Sequence, residues 1–146
     1  LLFSNDRPMN FDIEEVARQT LENPVYYVQY GHARIASILR KAKADGIELE
    51  PIDEADLTLL ASEPEQDQLR ALADVPGLIA TAAEQRAPHR LTHAAQDLAA
   101  RFHRFYTACR VVSDDAALTQ ARQFSEKCSA FFSSRRHCFS FANAIR

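Results

Sequence analysis

The chain is 146 residues long, 47% apolar and 25% charged, with a net charge of −3. That length suits one domain with a core of its own, and the acidic balance excludes a protein that meets a polyanion through its overall field; any such contact needs a local patch. No run approaches the roughly 18 consecutive apolar residues of a membrane span.

Three cysteines, an odd number, with no secretory signal at the start, point to a reducing, cytoplasmic setting. Cys109, Cys128 and Cys138 lack C-x-x-C spacing and read as buried or incidental thiols, not as a metal site. The chain opens on Leu1-Leu2-Phe3 without an initiator methionine, as though cut from something longer.

Glycines are few and helical periodicity dominates, which predicts an all-α helical bundle. A first short helix is expected over about residues 12–22, capped by Asn10 or Asp12, with Glu14 and Glu15 in its first turn. The second starts with Asn23 as N-cap and Pro24 at N1, and stops at Gly46 after Lys41 and Lys43. Residues 47–56 read as a loop, with a short helix around 54–60. Ser62-Glu63-Pro64-Glu65 fits a capping box, and Asp74-Val75-Pro76-Gly77 is expected to break the helix that follows before it resumes to about Arg86. Pro88 opens a long helix to about Cys109, on which Leu91, Ala95, Leu98, Phe102, Phe105 and Cys109 form a bundle stripe. Ser113-Asp114-Asp115 then caps a last segment of open character.

The second helix carries most of the chemistry. Val28, Gly31, Ile35, Ile38 and Ala42 fall on one stripe that can face the core, while Tyr27, Tyr30, Arg34 and Lys41 share an adjoining face. Rings interleaved with cations suit an unstacked nucleic-acid loop, with rings stacking bases and cations holding phosphates. The commoner use of such tyrosines is at a core edge, body buried and hydroxyl wet, and spacing alone leaves both readings open. His32 reads as an interior or edge histidine, with no partner at metal-site spacing. On the long helix Arg90, His93, Asp97, Arg101 and Arg104 read as a solvated face with i, i+4 pairing. Walker, nucleophile-elbow and zinc-protease motifs are all missing, so no catalytic residue and no metal ligand is assigned.

Phe11-Asp12, then NPVYYVQYGHARIASILRKA at 23–42, and later PHRL at 88–91 and FHRFYTACRV at 102–111, resemble arginyl-tRNA synthetases, where such residues follow the catalytic domain. The resemblance spans about residues 1–122 and is most specific in 23–42. It implies a DALR-type helical domain that grips the anticodon stem-loop of the arginine tRNA, in a class I ligase of the cytoplasm. The HIGH and KMSK-like signatures of the catalytic domain are absent, so ATP and arginine would bind a missing catalytic domain and this chain would hold no cofactor. Residues 1–22 would be the end of the connection from that domain, and residues 23–122 the anticodon-binding bundle, expected as a monomer. Tyr27, Tyr30, Arg34 and Arg104 are the candidate tRNA contacts. The competing reading is a helical protein–protein or interdomain docking module without RNA binding of its own.

Two departures stand out. The family usually has alanine where this chain has Gly31; glycine there costs about 1 kcal/mol of helix propensity, tolerable where another element packs closely. Residues 123–146, QFSEKCSAFFSSRRHCFSFANAIR, replace the family's apolar helix and tail and hold five of the nine phenylalanines. That break predicts a replaced or out-of-frame C-terminus, a bundle lacking part of its last helix, and exposed apolar surface.

Overall fold

The computed structural model describes residues 12–47 and 56–133. The expected cap at Asn10, most of the 47–56 loop, and residues 134–146 with Cys138 lie outside them. Among the described residues the elements are α1 (Ile13–Ala17), α2 (Pro24–Ala44), a 3-10 turn (Leu57–Leu59), α3 (Glu63–Glu84), α4 (His89–Ala108) and α5 (Ala116–Ser133). They form the all-α bundle expected, with α4 packed against α2, α3 and α5, and α5 lying against α2 as well.

Asp12 caps α1, its Oδ1 accepting from the Glu14 N–H at 2.8 Å. The helix is shorter than its sequence allows because a turn takes over. Asn23 donates its backbone N–H to the Thr20 carbonyl at 2.9 Å and its side-chain amide to the Arg18 carbonyl at 2.7 Å. The same Asn23 accepts from the Val25 N–H at 3.0 Å and so starts α2. At the other end Gly46 has φ +81°, and Ile47 donates to the Ala42 carbonyl at 2.9 Å, the left-handed stop that glycine permits. Of the apolar stripe, Gly31, Ile35 and Ala42 are buried and Val28 and Ile38 half-buried.

The capping box of α3 is present. The Glu65 carboxylate accepts from the Ser62 backbone N–H at 2.9 Å and from its hydroxyl at 2.7 Å. The expected break at 74–77 is absent: α3 runs unbroken from Glu63 to Glu84 with Pro76 inside it. Pro76 removes one N–H from the ladder and is exposed to water, and α3 packs against α4. The core centres on Ile35, Phe102, Phe105 and Val111, with Ile38, Leu39, Tyr106 and Cys109 against it.

The last segment is a helix, α5, and it continues past residue 123, where the resemblance fades. Its start is capped by Asp115, whose carboxylate accepts from the Leu118 N–H at 3.1 Å. Arg122 ties it to α3, donating to Glu65 at 2.6 Å, and also donates to the Arg110 carbonyl at 2.7 Å. Burial pushes the Glu65 carboxyl up, but the two Ser62 donors and Arg122 outweigh it and hold it below the ordinary carboxylate range.

Candidate functional site

The face shared by Tyr27, Tyr30 and Arg34 on α2 meets α4, so side chains from both helices build one cluster. His103 lies under the tyrosines, its ring centroid 5.0 Å from that of Tyr27 and 5.5 Å from that of Tyr30, nearly parallel to the latter at 26°. Phe102 backs the imidazole at 5.3 Å and Tyr106 at 5.9 Å. The Arg34 guanidinium sits 4.3 Å from the Tyr106 ring centroid and donates to the Tyr30 hydroxyl. Such a cation over a ring is worth about 0.5–2 kcal/mol and fixes the planes of both partners.

Charges in this cluster are set by those contacts. The Tyr106 contact first, and Tyr30 after it, raise the Arg34 pKa, so the guanidinium stays charged. Burial lowers the His103 pKa and the Arg34 charge lowers it further, leaving a neutral imidazole whose Nε2 has no hydrogen-bond partner among the described residues. Burial raises the Tyr27 phenol, partly opposed by the charge of Arg104.

Beside the rings runs an open groove of about 380 Å³, lined by Tyr30, Arg34, Ser37, Ile38, Lys41 and Tyr106. Tyr27, Tyr30, Arg34 and Tyr106 are each half-buried, and Lys41 is exposed, in an i, i+4 pair with Asp45 at 3.0 Å. The arrangement offers flat rings for stacking and cations for an anion along one concave strip.

The cluster thus unites three of the four candidates. Arg104 stands to one side, 64% exposed and paired with Asp67 of α3 at 3.2 Å, where the same aspartate also binds Arg101. The α4 polar face is solvated as expected, with Arg90, His93, Asp97 and Arg104 exposed, but its pairing is not confined to α4. Asp97 and Arg101 do pair at 2.8 Å, yet Arg101 and Arg104 also cross to α3, and His93 meets the His89 ring instead of Asp97. Sequence reasoning missed His103 and Tyr106 as members of the site. Their i, i+3 spacing on α4 was the available signal. Among the described residues no group of three His, Cys, Asp or Glu side chains could hold a metal ion, and no helix is long and apolar enough to cross a membrane.

Comparison with known proteins follows the same lines. The profile of the DALR anticodon binding domain matches residues 28–124. The chain is 47% identical over 122 residues to the arginine–tRNA ligase of Moorella thermoacetica, covering 84% of this chain and 22% of that ligase. It is 45% identical over 129 residues to that of Symbiobacterium thermophilum, covering 88% and 23%. A crystal structure of an arginyl-tRNA synthetase from Campylobacter jejuni superposes with a TM-score of 0.71 at 28% identity, over 88% of this chain and 28% of the other. The chain therefore spans roughly a fifth of the length of the curated relatives it matches, 22% and 23% in these two.

Proposed function

Because the chain belongs to the DALR anticodon binding domain family, we propose that it is the part of an arginine–tRNA ligase that holds the anticodon stem-loop of the arginine tRNA. The observation that carries the reading is the groove beside Tyr30, Arg34 and Tyr106, where half-buried rings and two cations converge. An unpaired loop base stacks on a tyrosine, and Arg34 and Lys41 face the backbone phosphates. Tyr27 borders the same strip, and Arg104, partly neutralised by Asp67, contributes a peripheral phosphate contact.

The remaining functions belong to the rest of the parent enzyme. ATP-dependent joining of arginine to tRNA needs its catalytic domain, which acts as partner to this chain through residues 1–22, in the cytoplasm. Alone the chain is a monomer that binds RNA without activating arginine, and detectable ATP–pyrophosphate exchange by the purified chain contradicts this. Residues 123–146 are a replaced C-terminus, a reading supported by the polar side chains that α5 buries from Gln123 onward.

Binding to the isolated anticodon stem-loop, titrated across salt, tests the site. Tyr30→Ala is expected to weaken binding by about 1–3 kcal/mol, the worth of one base–ring stack. Arg34→Ala is expected to weaken it and to lower the salt slope by about one ion. Unchanged affinity and slope in Arg34→Ala would remove the guanidinium from the phosphate path.

A further inference from the structure

Helix α5 buries a polar seam where a bundle helix ordinarily buries an apolar one. Thr119, Gln123, Ser125, Glu126 and Ser129 are each 3% exposed or less, and positions 119, 123 and 126 follow the spacing of one helix face. The ends of the seam are bonded. Thr119 pairs with Ser113 and the Asp115 carbonyl; Ser129 donates to the Ser125 carbonyl at 3.1 Å and accepts from Gln68 of α3 at 2.8 Å.

The middle is not bonded. Gln123 Nε2, both Glu126 carboxylate oxygens and Gln68 Oε1 have no hydrogen-bond partner among the described residues. Among the described residues no free cation is at hand to neutralise Glu126. Arg122, one turn before it, is engaged by Glu65 of α3 and the Arg110 carbonyl, and Lys127 is exposed. Cys128, half-buried, is held protonated chiefly by burial. The buried residues of α2 are Gly31, Ile35 and Ala42 and those of α4 are Leu98, Ala99, Phe102 and Phe105, none ionisable; the 3-10 turn is Leu-Thr-Leu, and the buried residues of α3 are Gln68, Ala82 and one ionisable group, Glu65, bound by Arg122. Burial pushes the Glu126 carboxyl up to about 8.

We propose that α5 is a conditional helix, docked on α2, α3 and α4 while the Glu126 carboxyl carries its proton and released from them when it ionises, with the other helices remaining folded. An ionised carboxylate inside this seam has no compensating group among the described residues, whereas in water it is fully solvated. Release requires the loss of few specific bonds, chiefly Glu65–Arg122, Gln68–Ser129 and Arg122 to the Arg110 carbonyl. The α3–α4 interface is the most extensive in the bundle. α2 packs on α5 at least as extensively as on α4, but its interface with α4 joins the two helices that carry Ile35, Phe102 and Phe105. Local release of one element with a lower opening free energy than the rest is the ordinary form of sub-global unfolding.

Amide hydrogen exchange of the intact chain, read by mass spectrometry at about pH 6 and about pH 9 and corrected for the intrinsic rate, resolves the helices separately. In the native sequence the peptides of residues 116–133 are expected to lose protection by at least about ten-fold at the higher pH while those of α4 keep theirs. Glu126→Gln, which cannot ionise, and Glu126→Leu, which also fills the seam with an apolar group, are each expected to hold α5 protection at both pH values. Equal α5 protection at both pH values in the native chain overturns the proposal. So does an equal loss in Glu126→Gln, or loss of α4 together with α5.

Discussion

Gly31 sits where α2 crosses α4, and its neighbours decide what a side chain there would do. A Cβ at this position would lie 3.6 Å from the Ala99 Cβ, 3.8 Å from His103 Nε2 and 3.9 Å from Phe102 Cδ1, all ordinary contact distances. The close approach that could have excused the glycine is present, yet it leaves room for a methyl group. Gly31→Ala is therefore expected to stabilise the domain by about 1 kcal/mol, the helix-propensity difference, measured as a raised urea midpoint with an unchanged slope. A lowered midpoint would show that the His103 stack does not tolerate the methyl. Arg34 teaches a related lesson. Its position on the tyrosine face and its bond to Tyr30 one turn earlier were within reach of spacing, but its seat over Tyr106 depends on a helix more than fifty residues later in the chain.

At the scale of elements, chain punctuation was legible wherever a local bond carries it. Asn23, Gly46 and the Ser62–Glu65 box each act within a few residues of themselves, and each does what its chemistry requires. The expected break at Pro76 failed because long-range packing opposed it. α3 packs against α4, its first half anchored by Asp67 to Arg101 and Arg104, and that interface outweighs the one N–H lost at Pro76. Since Pro76 is exposed, its ring contributes little packing, and its replacement should mainly restore a ladder bond to the Leu72 carbonyl. Pro76→Ala is expected to stabilise α3 by roughly 2 kcal/mol, within the propensity difference of about 3 kcal/mol and reduced by the greater freedom of the unfolded chain. Thermal unfolding followed by circular dichroism checks it, and a fall in melting temperature would mean that the proline is itself needed for the α3–α4 fit.

For the whole molecule, composition and periodicity made the all-α class legible, because an amphipathic stripe such as Leu98–Phe102–Phe105 can bury itself only against other helices. The sequence shows a compositional break near residue 123 but not which way Glu126 points, and that orientation gives the bundle a response to alkaline pH. A carboxyl raised from 4.5 to about 8 in the folded state favours folding while protonated. Its contribution is complete below the unfolded value and is lost as pH rises through about 8, a loss of roughly 5 kcal/mol at 1.36 kcal/mol per pH unit. Glu65 and His103 act on the other side. Both are lowered in the folded state, so their contributions are present at higher pH and are lost as pH falls through their folded values. Stability should then peak at mildly acidic pH, between the ordinary carboxylate and imidazole ranges. A loss of roughly 5 kcal/mol is comparable with the entire stability of a small domain, and release of α5 limits it to the free energy that docking supplies. The urea midpoint is accordingly expected to fall as pH rises from about 6 and to level off once α5 is free, while Glu126→Gln removes this alkaline limb and leaves the acid one. An alkaline limb that survives intact in Glu126→Gln would assign the pH response to some other group.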